Sequence, residues 1–274
     1  MNESNKKRMG RAWQTFRNKA LELQRLLPLF PDSFCLVTGA PRSGTSAMVS
    51  WLGRQSRVKS FAETKLLLVA HRLRRSLLSW KRFLEADISR RVRQFIHQSY
   101  AQEGVYLGAH TLLDKEPLDP LSLPPNEYSS FLTSVEAIFP SAKFIVMVRN
   151  PETVVSSITN RKWGFSIQGE EAKNRTVEDG IVIWKKTNQF VSTIAQKENV
   201  YVCQFEKLVE QPEQESKRIA SFLQIDNWDP FQPRETAEVT LSPDESCRVW
   251  EETRSCRQRL AEAGVSYAPN DGGR

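Results

Sequence analysis

Apolar residues along the chain come in short unbroken runs separated by stretches in which they recur every three or four positions, which predicts strands alternating with amphipathic helices. Runs at 33–38, 105–113, 143–149 and 200–204 predict strands, with a short one near 58–61. Helical spacing covers 8–27, 44–55, 64–100, 128–138, 151–162, 176–198 and 212–223, and Ser242 to Ala263 predicts a closing helix. The run from Lys143 to Val148 does not alternate with polar residues, so it reads as a strand buried on both faces, ended by Asn150-Pro151. Such an order implies an α/β fold of three layers: a central parallel sheet with helices on both faces and ligands at the carboxyl ends of its strands. Within 64–100, a stripe of Leu66, Val69, Leu73, Leu77, Trp80, Leu84, Ile88, Val92 and Phe95 reads as packed core. The basic residues among it (Arg72, Arg74, Arg75, Lys81, Arg82, Arg90, Arg91, Arg93) read as a solvated face or as the border of an acceptor pocket.

The most informative stretch joins the first strand to the next helix: Phe34-Cys35-Leu36-Val37-Thr38-Gly39-Ala40-Pro41-Arg42-Ser43-Gly44-Thr45-Ser46. Successive amides of such a turn, with the positive end of the helix behind them, suit a phosphate or sulfate. The spacing approaches the nucleotide-binding G-x-x-x-x-G-K-[ST] loop, yet Thr45 holds the lysine position and the cation comes earlier, at Arg42. A guanidinium there can grip a short anion in bidentate fashion.

Pro41-Arg42-Ser43-Gly44-Thr45-Ser46 resembles the 5′-phosphosulfate loop of sulfotransferases that use 3′-phosphoadenylyl sulfate (PAPS). The resemblance runs over roughly residues 33–225 and implies the P-loop-containing nucleoside triphosphate hydrolase-like fold in its sulfotransferase form. It implies cofactor contacts from Arg42, Ser43, Gly44, Thr45 and Ser46, and a 3′-phosphate held by Arg149 and Ser157, eight residues apart, joined by Arg161 one helical turn on. The catalytic motifs look most like the tyrosylprotein branch: Glu63 stands where that branch has its base, and Lys115 in Lys115-Glu116-Pro117 where a lysine meets the transferring group. Arg42 and Lys115 would then offset charge on the sulfuryl group. The plainer reading of Glu63 is an exposed carboxylate capping the next helix beside Thr64, and His110 reads as structural. One position departs from the pattern: in the Tyr-Glu-x-Leu segment, Phe205 replaces the tyrosine and loses a hydroxyl.

A length of 274 residues allows one large domain that buries about 70–75% of its unfolded surface. The expected division is a basic helical extension at 1–32, a sulfotransferase domain at 33–264 and a flexible tail at 265–274, with the polar loop from Gly164 to Arg175 as a flap and Trp163 as a candidate pocket wall. The polar start, Met1 to Lys19, lacks the apolar core of a secretion signal, no transmembrane segment is read, and four cysteines show no paired spacing, so a cytoplasmic chain with reduced thiols is expected. The formal charge of +7 suits a multiply anionic nucleotide without implying a nucleic-acid partner, and no residue cluster has metal-ligand spacing. Three functions follow in order: sulfuryl transfer from PAPS to an acceptor hydroxyl (carbohydrate, phenol, lipid or protein tyrosine), a nucleotide kinase with a degenerate loop, and a non-catalytic binder of PAPS or its desulfated product, PAP. The kinase lacks the loop lysine and a clear metal-binding aspartate at a strand end.

Overall fold

The computed structural model describes residues 33–61, 63–80, 84–103, 109–120, 122–160, 175–233 and 239–267. In chain order the elements are β1 (Ser33–Gly39), α1 (Thr45–Leu52), β2 (Val58–Ser60), α2 (Leu66–Ser79), α3 (Glu85–Glu103), β3 (Thr111–Lys115), α4 (Tyr128–Ile138), β4 (Ala142–Val148), α5 (Pro151–Thr159), α6 (Val177–Ile194), β5 (Val200–Gln204), α7 (Phe205–Glu210), α8 (Pro212–Leu223) and α9 (Pro243–Glu262). The expected extension at 8–27, Arg161, Trp163, most of the expected flap and the beginning of the expected strand at 105–113 lie outside the described residues.

All strands pair in parallel in the order β2-β3-β1-β4-β5, so β1 is central. Alternation along the strands sorts their side chains onto two faces. Phe34, Leu36, Leu112, Phe144, Val146, Val148 and Val200 enter one core, whose cover comes from α2 through α6 and from Cys256 and Leu260 of α9. Cys35, Val37, Leu113, Ile145, Met147 and Cys203 enter the other, beneath Met48, Trp51 and Leu52 of α1 and Leu208, Ile219 and Leu223 of α7 and α8. The result is the expected three-layer arrangement. Cys35, Cys203 and Cys256 are buried and Cys247 is exposed; none forms a disulfide. Burial pushes the Cys35 thiol up to about 12 and that of Cys256 to about 11.

Local chemistry sets the start of three helices, α5, α6 and α9. The Asn150 carboxamide oxygen accepts from the amides of Glu152 at 2.9 Å and Thr153 at 3.4 Å, with Pro151 in the first helical position of α5. Capping boxes, Thr176 with Asp179 and Ser242 with Glu245, open α6 and α9. Two expectations are corrected. The buried face of α2 is Leu67, Leu68, Ala70, His71 and Arg74, whereas Val69, Leu73 and Trp80 of the expected stripe are exposed, as are Leu84 and Phe95. The run Leu66 to Ala70 is apolar on every side, so spacing leaves its phase open, and the entering backbone decides it. The body also extends past residue 264: Val265 is buried, Gln204 Nε2 donates to the Ser266 carbonyl at 2.9 Å, and Tyr267 meets Trp184 edge-on.

β1 ends at Gly39, with φ +133°, where a Cβ would lie 2.2 Å from the Met147 carbonyl oxygen of β4. Gly39→Ala should therefore destabilise the chain by ~2 kcal/mol or more, because the backbone conformation and the contact are both unfavourable. A urea melt that leaves the midpoint unchanged would contradict the close approach.

Candidate active site

The chain turns at Ala40–Ser43, where the Ser43 amide donates to the Ala40 carbonyl at 3.1 Å, and α1 begins from Gly44 at φ +93°. A Cβ on Gly44 would meet the Phe205 ring at 2.3 Å, so the loop lies flat on that ring. α1 has no side-chain cap and no acidic residue in its first turn. Its opening amides and dipole are thus not answered by a carboxylate of the helix itself, as an anion site requires. Ser43 is fully buried, and among the described residues its Oγ has no hydrogen-bond partner. An orphaned hydroxyl, a tight glycine and an uncapped helix start fit a phosphate- or sulfate-bearing ligand.

Cations gather at the same strand ends. Arg42, itself at φ 71°, donates from Nε to Ser157 Oγ of α5 at 2.8 Å, and Arg149 Nη1 donates to the Arg42 carbonyl at 3.3 Å. The Arg149 guanidinium lies 4.4 Å from the centre of the Phe205 ring, a cation–π contact. Burial holds Arg149 below the usual arginine range; nearby Glu206 opposes this and Arg42 adds to it. Two guanidiniums this close gain from an anion between them. Glu206 accepts from the Asn150 amide at 2.8 Å, its carboxyl is raised by burial, and Trp184 Nε1 donates to the Arg149 carbonyl at 2.9 Å. These contacts fix the turn that carries Arg149. Phe205 thus has a use that does not need the absent hydroxyl: its face supports Gly44 and Arg149 together.

Lys115, at the end of β3, brings a third positive group to the loop. Its Nζ donates to Ser46 Oγ at 2.8 Å and pairs with Glu63 Oε1 at 2.7 Å. Lys115 is buried with its side chain 7% exposed, whereas the Glu63 side chain is 47% exposed, so the pair opens to solvent on the carboxylate side. Glu63 does not cap α2; Lys65 stands at that cap, and the Leu66 amide bonds Thr64 Oγ1 at 3.3 Å. His110 lies at the amino end of β3, where its carbonyl accepts from Ser33, at the opposite end of the strand from Lys115.

The expected residues thus form two groups joined by the loop: Arg42, Ser157 and Arg149 on one side, Glu63, Lys115 and Ser46 on the other. Arg42 is engaged through Nε by the first group, although the sequence resemblance also gave it a part in the second. Asp114, Tyr100, Lys65, Glu116, Glu206 and Trp184 were not singled out from sequence. The one visible signal was the unbroken charge in Asp114-Lys115-Glu116 inside an otherwise apolar strand. The basic helices largely spend their charge on structure: Arg74 pairs with Glu85, Arg75 with Glu127 at 2.7 Å, and Arg72 donates to the Ser122 carbonyl at 3.1 Å.

A parallel sheet whose central strand opens into a glycine-bearing turn and a helix start, with cations converging from two neighbouring strand ends, defines a protein with the P-loop type of fold. Residues 35–230 match the Sulfotransferase family, and the chain belongs to it. It is 28% identical over 208 residues to a putative protein-tyrosine sulfotransferase of Caenorhabditis briggsae, covering 71% of this chain and 66% of that protein. It is 27% identical over 208 residues to protein-tyrosine sulfotransferase A of Caenorhabditis elegans, covering 72% and 50% respectively, so the chain spans half to two thirds of the length of these relatives. The fold is like that of a sulfotransferase from Alicyclobacillus acidocaldarius, with a TM-score of 0.57 at 17% identity, over 87% of this chain and 98% of that one.

Replacing Phe205 by alanine should remove support from Gly44 and Arg149 together. A loss of ~3 kcal/mol is expected in a denaturant melt; a variant as stable as the parent would mean that the ring does not carry the loop.

Proposed function

We propose that the chain transfers a sulfuryl group from PAPS to an acceptor hydroxyl. The observation that supports this best is the meeting of Glu63, Lys115 and Ser46 on the same loop that engages Arg42, Ser157 and Arg149. In this reading the amides of Ser43 to Ser46 hold the 5′-phosphate, and Arg149 and Ser157 hold the 3′-phosphate. Arg161, given the same role by resemblance, follows α5 in sequence. Lys115 and Arg42 neutralise charge at the transferring group, while Glu63 takes the proton of the acceptor hydroxyl. The sulfur–oxygen bond to the acceptor forms as the bond to the bridging oxygen of PAPS breaks, and the products are a sulfate ester and PAP. Positioning and charge neutralisation supply most of the acceleration in such an in-line displacement, and the Lys115–Glu63 pair places a cation and a carboxylate side by side for it.

The acceptor we propose is a tyrosine hydroxyl of a protein or peptide, rather than a carbohydrate, lipid or small phenol. Support comes from the relatives, which are named protein-tyrosine sulfotransferases. Incubation with labelled PAPS and a protein extract, followed by mass spectrometry, tests this directly: sulfate on tyrosine supports it and sulfate on glycans or lipids overturns the acceptor. Failure to bind PAP in a calorimetric titration overturns the donor.

Two substitutions separate binding from chemistry. Glu63→Gln should lower turnover by about 10²–10⁴-fold and leave the Kd for PAP within a few-fold. Arg149→Ala should weaken PAP by about tenfold or more, as loss of a charge-assisted contact does. A Glu63→Gln enzyme with full turnover, or an Arg149→Ala variant with parental affinity, would remove the residue concerned from its role.

A further inference from the structure

Three consecutive residues before α2 each bond a residue at the end of β3. Glu63 Oε1 meets Lys115 Nζ at 2.7 Å, Thr64 Oγ1 donates to Asp114 Oδ2 at 2.8 Å, and Lys65 Nζ donates to Glu116 Oε1 at 2.6 Å. Behind them the Phe61 amide donates to the Leu113 carbonyl at 2.7 Å, and the Phe61 ring stacks on Tyr100 at 4.6 Å. Asp114 is buried and accepts from Tyr100 OH at 2.6 Å and from the Lys115 amide at 2.7 Å. Glu63 and Lys65 both have left-handed backbone, at φ 50° and 59°. Residues with a Cβ keep that conformation only where the surroundings impose it.

We propose that Asp114 and Glu116 are positioning residues, which through Thr64 and Lys65 hold the left-handed segment that presents the Glu63 carboxylate to Lys115. This inference rests on the reading of Glu63 as the base. Its support is that three consecutive residues are each tied to one of three consecutive partners, Glu63 to Lys115, Thr64 to Asp114 and Lys65 to Glu116, so the segment can neither slide along the end of β3 nor rotate without breaking several contacts.

Glu116 is an expensive choice for a merely structural post. Its side chain is 2% exposed, and burial raises its carboxyl from 4.5 to about 7 against the opposing pull of Lys65, with Asp114 and Glu63 adding to the rise. Between those two values the unfolded chain has released the proton and the folded chain keeps it, so stability falls as pH rises through that window and stays lower above it. Glu116→Gln removes that loss and replaces the ion pair to Lys65 by a hydrogen bond from its ammonium to a neutral carboxamide oxygen. A residue held for stability alone would behave in the opposite way.

The experiment uses the full chain, labelled PAPS and a peptide with one tyrosine, together with PAP titration and hydrogen exchange of the segment 61–66. Thr64→Val, Lys65→Met and Glu116→Gln should each lower kcat about tenfold or more, as displacement of a reacting group does, with the Kd for PAP and the KM for PAPS within about twofold. Faster exchange should accompany each loss, and Glu116→Gln should melt at or above the parental Tm at pH 8. On a Glu63→Gln background the same substitutions should lower kcat by less than about twofold, since there is no base left to misplace. A further tenfold loss on that background, or affinity for PAP falling in step with kcat, overturns the proposal. Should the parent not sulfate the peptide, or Glu63→Gln keep full kcat, the acceptor or base assignment fails separately. Exchange then decides the clasp, and unchanged exchange in Lys65→Met overturns it.

Discussion

The turn leaving β1 is confined between the backbone of β4 and the ring of Phe205, and the charged groups of the site take their places from that confinement. Gly39 passes the Met147 carbonyl with no room for a side chain, and Gly44 rests on Phe205 in the same way. Held flat, the loop directs the start of α1 toward the carboxyl ends of β3 and β4. Lys115 comes from one of these strands and Arg149 from just beyond the other, and each makes a contact with the loop itself. One close-packed turn therefore coordinates two cationic groups that are 34 positions apart in sequence.

Most strands and helices were legible because their signals are local, but the strand expected at 105–113 was placed too early: β3 is Thr111–Lys115, and its last two residues, Asp114 and Lys115, are charged and so fell outside the apolar run. β4 and β5 needed only continuous apolar runs, and α4, α8 and α9 were bounded within a residue or so by caps, prolines and periodicity. The phase of α2 was not legible, because five adjacent apolar residues satisfy any face and the choice passes to Lys65 with its left-handed backbone. α7 was hidden for another reason: at six residues it is too short to show a period, and it follows β5 without a break. The expected boundary at 264 followed the end of the closing helix, whereas Tyr267 packs on Trp184 of α6 through an aromatic contact.

Of the site, the loop and its cations could be recognised from residue types at fixed spacing. The supports could not, since Glu206, Trp184 and Asp114 act through contacts distant in sequence to Asn150, Arg149 and Thr64, and Tyr100 acts through Asp114. The family resemblance also implied a division of labour between the 5′ and 3′ ends that the geometry blurs. Arg42 emerges from the loop on one side and reaches Ser157 on the other, so the two ends of the proposed nucleotide site share a side chain. Coupled groups of this kind lose function together when either is altered.

The thiols carry a consequence for the whole molecule. Cys35 and Cys203 stand on β1 and β5, with β4 between them, a separation near 10 Å for strands two apart; a disulfide tolerates less than about 7 Å between its Cα atoms. Cys256 is enclosed on α9, and all three sulfurs are kept protonated by their apolar surroundings, which removes the thiolate that oxidants attack. Only Cys247 faces solvent. Oxidants in solution therefore meet Cys247 first, while the fold itself shields the three enclosed thiols.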